Sequence, residues 1–215
     1  MGDRVVLFGG TFDPVHHGHL IVARAVAEHC GYERITLVPS GTSPHKSNAV
    51  ASPGDRLAML RLAVAGEGLF DVSDVELRRE GPSYTIDTLT GLRAEIGAAT
   101  ELHLLIGADM LADLPNWRRA ADVVALARVV VAMRPGWDGR MDEVLGRLRR
   151  DLPGEVAEAL IASVVPTPLI DISSTTIRRR LAAGQSIRFL VPEAVGEYIE
   201  REGLYGFAGN LDGGE

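Results

Sequence analysis

GGTFDPVHHGHL, Gly9 to Leu20, decides how the rest of the chain is read. Upstream of it lies RVVLF, Arg4 to Phe8, rich in β-branched and large apolar residues and bounded by glycine on each side, which predicts a buried strand. Downstream, Leu20, Ala23, Val26, Ala27 and Cys30 recur at helical spacing, and Gly31 stands where a helix stops. The loop between strand and helix holds two adjacent glycines, a proline and three histidines. Gly9 and Gly10 lack a Cβ and tolerate positive φ, so backbone there can approach a ligand closely. Amides that open the helix have no acceptor within it and lie at the positive end of its dipole, which makes an anion site. His16 and His19, three apart, project from one face toward whatever the loop holds, and His17 points elsewhere. Two imidazole donors beside such amides suit a phosphate that gains charge during a reaction. The same spacing fits a pair of zinc ligands, but no third ligand stands nearby in sequence, and Cys30 falls on the packing face of the helix.

With 215 residues the chain is long enough for one α/β domain with a sizeable core. That domain is expected over residues 1–205, with 206–215 a disordered tail. A formal charge of −7 argues against a nucleic-acid-binding surface. The single cysteine excludes an internal disulfide and suits a reducing compartment. No long apolar run is present, so neither a signal peptide nor a membrane span is expected, and a cytoplasmic location follows as an expectation. Of 22 lysines and arginines, the only lysine is Lys46, beside His45. An ammonium is a compact mobile charge where a guanidinium is a planar fork, so a chain otherwise built with arginine that keeps a lysine there draws notice.

Further along, RITLV, Arg34 to Val38, reads as a second strand and completes a βαβ unit. Ser52, Pro53 and Asp55 open a helix with apolar face Leu57, Leu60, Ala63 and Val64. A third strand is expected within Phe70 to Leu77, and a helix through Ile86, Leu89, Leu92 and Ile96 ends at Gly97. Leu102 to Ile106 reads as a central strand, Trp117 to Ala127 as helix and Val129 to Met133 as another buried strand. Helices follow at Met141 to Arg150 and Glu155 to Ala162, then a strand at Val164 to Ile170. ISSTTIRRRL opens a helix with Ser173 or Ser174 as cap, and a last helix starts at Pro192. This alternation implies an α/β fold with a doubly wound parallel sheet. Gly107 and Asp109, at the end of the central strand, lie where open α/β sheets bind ligands; Asp109 suits ribose hydroxyls or a helix cap.

GGTFDPVHHGHL also resembles the first signature of the HxGH nucleotidyltransferases, with His16, Gly18 and His19 in the motif positions. Four later stretches, PSGTSPHK, GPSYTIDTL, IGADMLADLPNW and ISSTTIRRRL, are similar to those of the bacterial nicotinate mononucleotide adenylyltransferases, so the likeness runs from the first strand to about Tyr205. It implies a Rossmann-like nucleotidyltransferase fold, with a C-terminal helical segment, that transfers AMP from ATP to nicotinate mononucleotide with Mg²⁺ on the ATP phosphates. It implies His16, His19, Lys46 and Arg178 as catalytic residues. Gly9, Gly10, Thr11, Phe12, Gly18, Gly107, Asp109, Ser174 and Thr175 are implied on the ATP side. Tyr84, Thr85, Trp117 and His45 are implied on the mononucleotide side, with Trp117 stacking on the pyridine ring. No metal held by protein side chains is expected. The chain departs from the family's PPHK at Ser43, which replaces the first proline.

Neither a Walker loop nor GxGxxG occurs, which disfavours a P-loop hydrolase or a Rossmann dehydrogenase. Three rivals stand beside this reading: another HxGH transferase such as one acting on phosphopantetheine, a nucleotide-binding regulator without catalysis, and a zinc protein. Preference for the acid or the amide mononucleotide, and assembly into homo-oligomers, are left open by the sequence.

Overall fold

A computed structural model describes residues 4–41, 49–133 and 137–206. Six parallel strands form one sheet in the order β3-β2-β1-β4-β5-β6. They are β1 (Arg4–Gly10), β2 (Ile35–Pro39), β3 (Phe70–Val72), β4 (Glu101–Gly107), β5 (Arg128–Ala132) and β6 (Val164–Val165). Central strands are continuously apolar because both faces are covered. Val6, Phe8, Leu105 and Val130 join the core on one face, and Leu7, Leu104, Ile106 and Val131 join the core on the other. The doubly wound parallel sheet expected from the sequence is the fold observed.

The first face carries α1 (His17–Cys30), α2 (Pro53–Ala63), α8 (Ser174–Ala182) and α9 (Glu193–Arg201). The second carries α3 (Thr85–Ile96), α4 (Ala108–Asp113), α5 (Ala120–Leu126), α6 (Asp138–Asp151) and α7 (Gly154–Ala162). Helix α1 stops at Gly31, whose φ of 63° is left-handed and whose N–H returns to Ala27 O. Ser52 caps α2 by accepting from Asp55 N–H, with Pro53 at the first helical position. No helix among the described residues is long and apolar enough to cross a membrane.

Several elements differ from the sequence reading. Strand β3 covers only Phe70–Val72, since the chain turns at Asp74, whose carbonyl accepts from Leu77 N–H. Strand β6 is two residues long, followed closely by Pro166 and Pro168, which have no N–H for a ladder. Trp117 is not helical: it ends a 3₁₀ turn, Leu114–Asn116, with extended φ −69° and ψ 145°, and α5 begins three residues later. The buried face of α2 is Arg56, Met59 and Leu60, with Leu57 only half-buried. His45 and Lys46, the Ser43 departure and the tail from 207 lie outside the described residues.

Candidate active site

Strand order reverses between β1 and β4, and in open parallel sheets the crevice beyond the carboxyl ends at such a point receives ligands. β1 delivers Gly9 and Gly10 there, and β4 delivers Gly107. The two glycines belong to the strand rather than the loop, paired with Val38 and Pro39 of β2. Neither has the positive φ that the sequence reading allowed them; Phe12 takes it instead, at 49°. The Phe12 ring folds back over Gly10, where a Cβ would lie 3.0 Å from it, whereas a Cβ on Gly9 would meet nothing within 4 Å. One glycine makes room for the turn, and the other leaves the strand end open to the crevice.

The crevice contains a cavity of about 480 Å³. Around it stand Gly9, Gly10, Thr11, Phe12, His16, Gly18, His19, Gly107, Asp109, Ser174, Thr175 and Arg178. These come from segments far apart in the sequence, and every described residue assigned from sequence to ATP or catalysis is among them. A second cavity, about 220 Å³, is lined by Tyr84, Thr85 and Trp117. Gly9, Gly10, Thr11, Asp109 and Met110 line both cavities, so they are two halves of one cleft.

The histidines are held by the entry to α1. His16 is the N-cap residue, extended at φ −149°, and its backbone N–H donates to His19 Nδ1 at 3.3 Å. The two rings stack with centroids 3.7 Å apart, and Phe12 meets His19 edge-on at 5.0 Å. Gly18 is required by this packing, since a Cβ there would lie 3.0 Å from His16 Nδ1. The helix start is less open than the sequence suggested: His17 N–H donates to Leu190 O and His19 N–H to His16 O, each at 3.0 Å.

On the far wall Ser173, not Ser174, caps α8 by accepting from Thr176 N–H. Ser174 and Thr175 therefore occupy the helix start, where amides lack intrahelical acceptors. Ser174 Oγ donates to Pro14 O at 2.9 Å, and Arg178 Nη1 donates to Asp13 O at 2.6 Å, fastening α8 to the first loop.

Asp13 is the residue whose role the sequence hid. Standing before Pro14, it is 4% exposed and accepts from Val50 N–H at 2.7 Å, Ala51 N–H at 3.1 Å and the Tyr205 hydroxyl at 2.7 Å. Burial and the Asp13 carboxylate push the Tyr205 phenol far above its ordinary value, so it stays a donor. Arg56, 1% exposed, places its cation under the same loop and donates to Thr11 O at 2.8 Å. Its position one turn before Met59 and Leu60 was the available signal. On the second cavity Arg118 lies 4.5 Å over the Tyr84 ring. Among the described residues no three His, Cys, Asp or Glu side chains gather as a metal site would need.

A family model described as cytidylyltransferase-like matches residues 7–180. A "Probable nicotinate-nucleotide adenylyltransferase" of Thermomicrobium roseum is 45% identical over 203 residues, covering 94% of this chain and 91% of the relative. One of the same name from Pseudomonas fluorescens is 45% identical over 211 residues, covering 95% and 98%. Among solved structures, Plasmodium falciparum nicotinic acid mononucleotide adenylyltransferase complexed with NaAD superposes with TM-score 0.75 at 17% identity, covering 98% of this chain and 100% of that one, which speaks for the fold. Strand order, cleft and near end-to-end identity converge, and the chain belongs to the cytidylyltransferase-like family and, within it, to the nicotinate-nucleotide adenylyltransferases.

Proposed function

We infer that this chain transfers the adenylyl group of ATP to nicotinate mononucleotide, releasing pyrophosphate and forming nicotinate adenine dinucleotide, a step of NAD biosynthesis. The observation that carries the reading is the shared floor of the two cavities, Gly9 to Thr11 and Asp109, which gives two nucleotides room to meet end to end. The mononucleotide phosphate attacks the α-phosphorus in line, and no covalent protein intermediate forms. Since the nucleophile is already an anion, catalysis consists of bringing two anions together and offsetting charge at the five-coordinate transition state. In this reading His16 and His19 donate to phosphate oxygens. Arg178 and the amides of Ser174 and Thr175 hold the leaving pyrophosphate, and Lys46 adds a positive charge. Tyr84, Thr85 and Trp117 hold the pyridine half, and His45 keeps the mononucleotide role that the sequence resemblance implies. An electron-poor ring on an indole face is a favourable pairing.

Mg²⁺ is proposed to arrive with ATP. Hard oxygen donors are what it prefers, and Asp13, the buried carboxylate at the cleft, already accepts from three protein donors. The nucleotide's own phosphates therefore suit it best, with Asp109 on the adjoining wall. When bound, it neutralises phosphate charge.

Incubation with ATP and each of three acceptors tests the reading, with pyrophosphate and the coupled product measured. Nicotinate mononucleotide should give both, and nicotinamide mononucleotide less. Product from phosphopantetheine and none from either mononucleotide would overturn it.

A further inference from the structure

Glu76 is not explained by the reading above. It stands in the turn after β3, between Asp74 and Ser83, and lines the mononucleotide cavity together with Tyr84, Thr85 and Trp117. It also lines a small space of about 40 Å³ behind Trp117 that is otherwise mostly apolar. A carboxyl group there is costly unless its oxygens are used. Burial pushes its pKa above the ordinary glutamate value, opposed by hydrogen bonds from Thr88 and Gly41 and by the charge of Arg79.

Those partners come from separate segments. Thr88, 4% exposed in the first turn of α3, donates its hydroxyl to Glu76 Oε1 at 2.8 Å and accepts from Arg79 Nη1 at 3.1 Å. Gly41, just beyond β2, presents its backbone N–H toward the carboxylate and favours its charged form. The Glu76 carbonyl accepts the Ser83 hydroxyl at 3.4 Å. Gly41 is pressed into this junction: a Cβ there would collide with Ser83 Oγ and lie 2.7 Å from Glu76 O. Its neighbour Ser40 donates its N–H to Gly10 O at 2.8 Å, which ties the junction to the shared floor of the cleft.

We propose that Glu76 is the positioning residue of the mononucleotide half of the cleft: its carboxylate fastens the end of β2 to the first turn of α3 and so fixes Tyr84 and Thr85 opposite Trp117. It touches neither reacting phosphate and acts through the segments it joins. The larger cavity does not include it, so its loss falls on one substrate only. This inference rests on the adenylyltransferase reading.

Steady-state kinetics on the full chain, varying each substrate in turn, tests it. Glu76→Ala raises KM for nicotinate mononucleotide about tenfold, the scale of one lost hydrogen bond to a charged group, and leaves KM for ATP within about twofold. Glu76→Gln keeps an acceptor for Thr88 but turns an amide donor toward Gly41 N–H, so it falls between. Thr88→Val removes one donor at nearly constant shape and shifts the same KM by about threefold. Equal rises in both KM values, or no change in either, overturn the proposal. Should Glu76→Ala fail to fold, Thr88→Val decides alone on the same criteria. Calorimetric binding of the mononucleotide to the unaltered chain is measured first. No binding there sinks the adenylyltransferase reading, whereas binding there with unchanged KM in the variants sinks only the role of Glu76.

Discussion

His16 N–H donates to Nδ1 of His19, and the two rings stack 3.7 Å apart at 23° from parallel. A neutral imidazole whose Nδ1 accepts carries its proton on Nε2, so the backbone at the helix entry sets His19 as a donor. Phe12, edge-on at 5.0 Å, limits the ring's freedom to turn away. A donor fixed in advance is what a transition state gaining phosphate charge uses, and removing one costs about 10²–10³ in kcat. His19→Ala should show that loss in single-turnover rates. His17→Ala should stay within about threefold, since His17 lines neither cavity and engages Leu190 through its backbone. Equal losses would mean that the wrong ring has been assigned.

Asp13 gathers the chain's ends. Its carboxylate receives Val50, Ala51 and Tyr205, and its carbonyl receives Arg178. Asp13→Ala strands three buried or half-buried donors and should destabilise the fold by roughly 3 kcal/mol. Tyr205→Phe removes one and should cost about 1 kcal/mol. Urea unfolding measures both. In the double variant the two costs should not add, because Tyr205 loses the same partner either way. Additive costs would show that the hydroxyl is held by something else.

The sheet was legible because its central strands are unbroken apolar runs bounded by glycine, and its helices carry clear stops at Gly31 and Gly97. The residues assigned to ATP come together in one cavity because they fall in three short stretches, each at a helix start. Asp13 and Glu76 were not legible, since their partners lie 37 and 12 positions away, and nothing local marks a carboxylate that accepts from such distant donors. Phe12 misled in a different way. Positive φ was read as open to Gly9 and Gly10, but it is Phe12 that adopts it, its ring packed against Phe8 and His19. Trp117 was read as helical from its neighbours, yet the tight 3₁₀ turn Leu114–Asn116, with Pro115 inside it, leaves its backbone extended.

That extended backbone sets Trp117 on the wall of the second cavity, half-buried beside Thr85. Stacking and cation–π attraction to a pyridinium together are worth about one to two kcal/mol. Trp117→Ala should thus raise KM for the mononucleotide about tenfold, and Trp117→Phe should recover part of it. KM for ATP should not move, because Trp117 does not line the larger cavity. A matching rise for ATP would place the tryptophan in the core rather than the site.

At the opposite end of the sheet a buried pair is expected to respond to acid. His103, 3% exposed on β4, meets the Tyr32 hydroxyl through Nδ1 at 2.7 Å and the Glu101 carboxylate through Nε2 at 3.3 Å. A neutral ring satisfies both, accepting from Tyr32 at Nδ1 and donating to Glu101 at Nε2. Burial lowers its pKa, with Arg128 and Arg4 acting in the same direction and Glu101 opposing. Between the depressed folded value and the ordinary one, near ~6.5, the unfolded chain binds a proton that the folded chain does not. Stability is thus intact above the ordinary value and is lost as pH falls toward the folded one, by at most about 1.4 kcal/mol per pH unit for one proton. His103→Gln keeps an Nε2-like donor for Glu101 without a titrating ring. Urea unfolding at a pH about one unit above and one below the ordinary histidine value should show a larger loss for the natural chain than for His103→Gln. Parallel losses in the two proteins would assign the acid response to other groups.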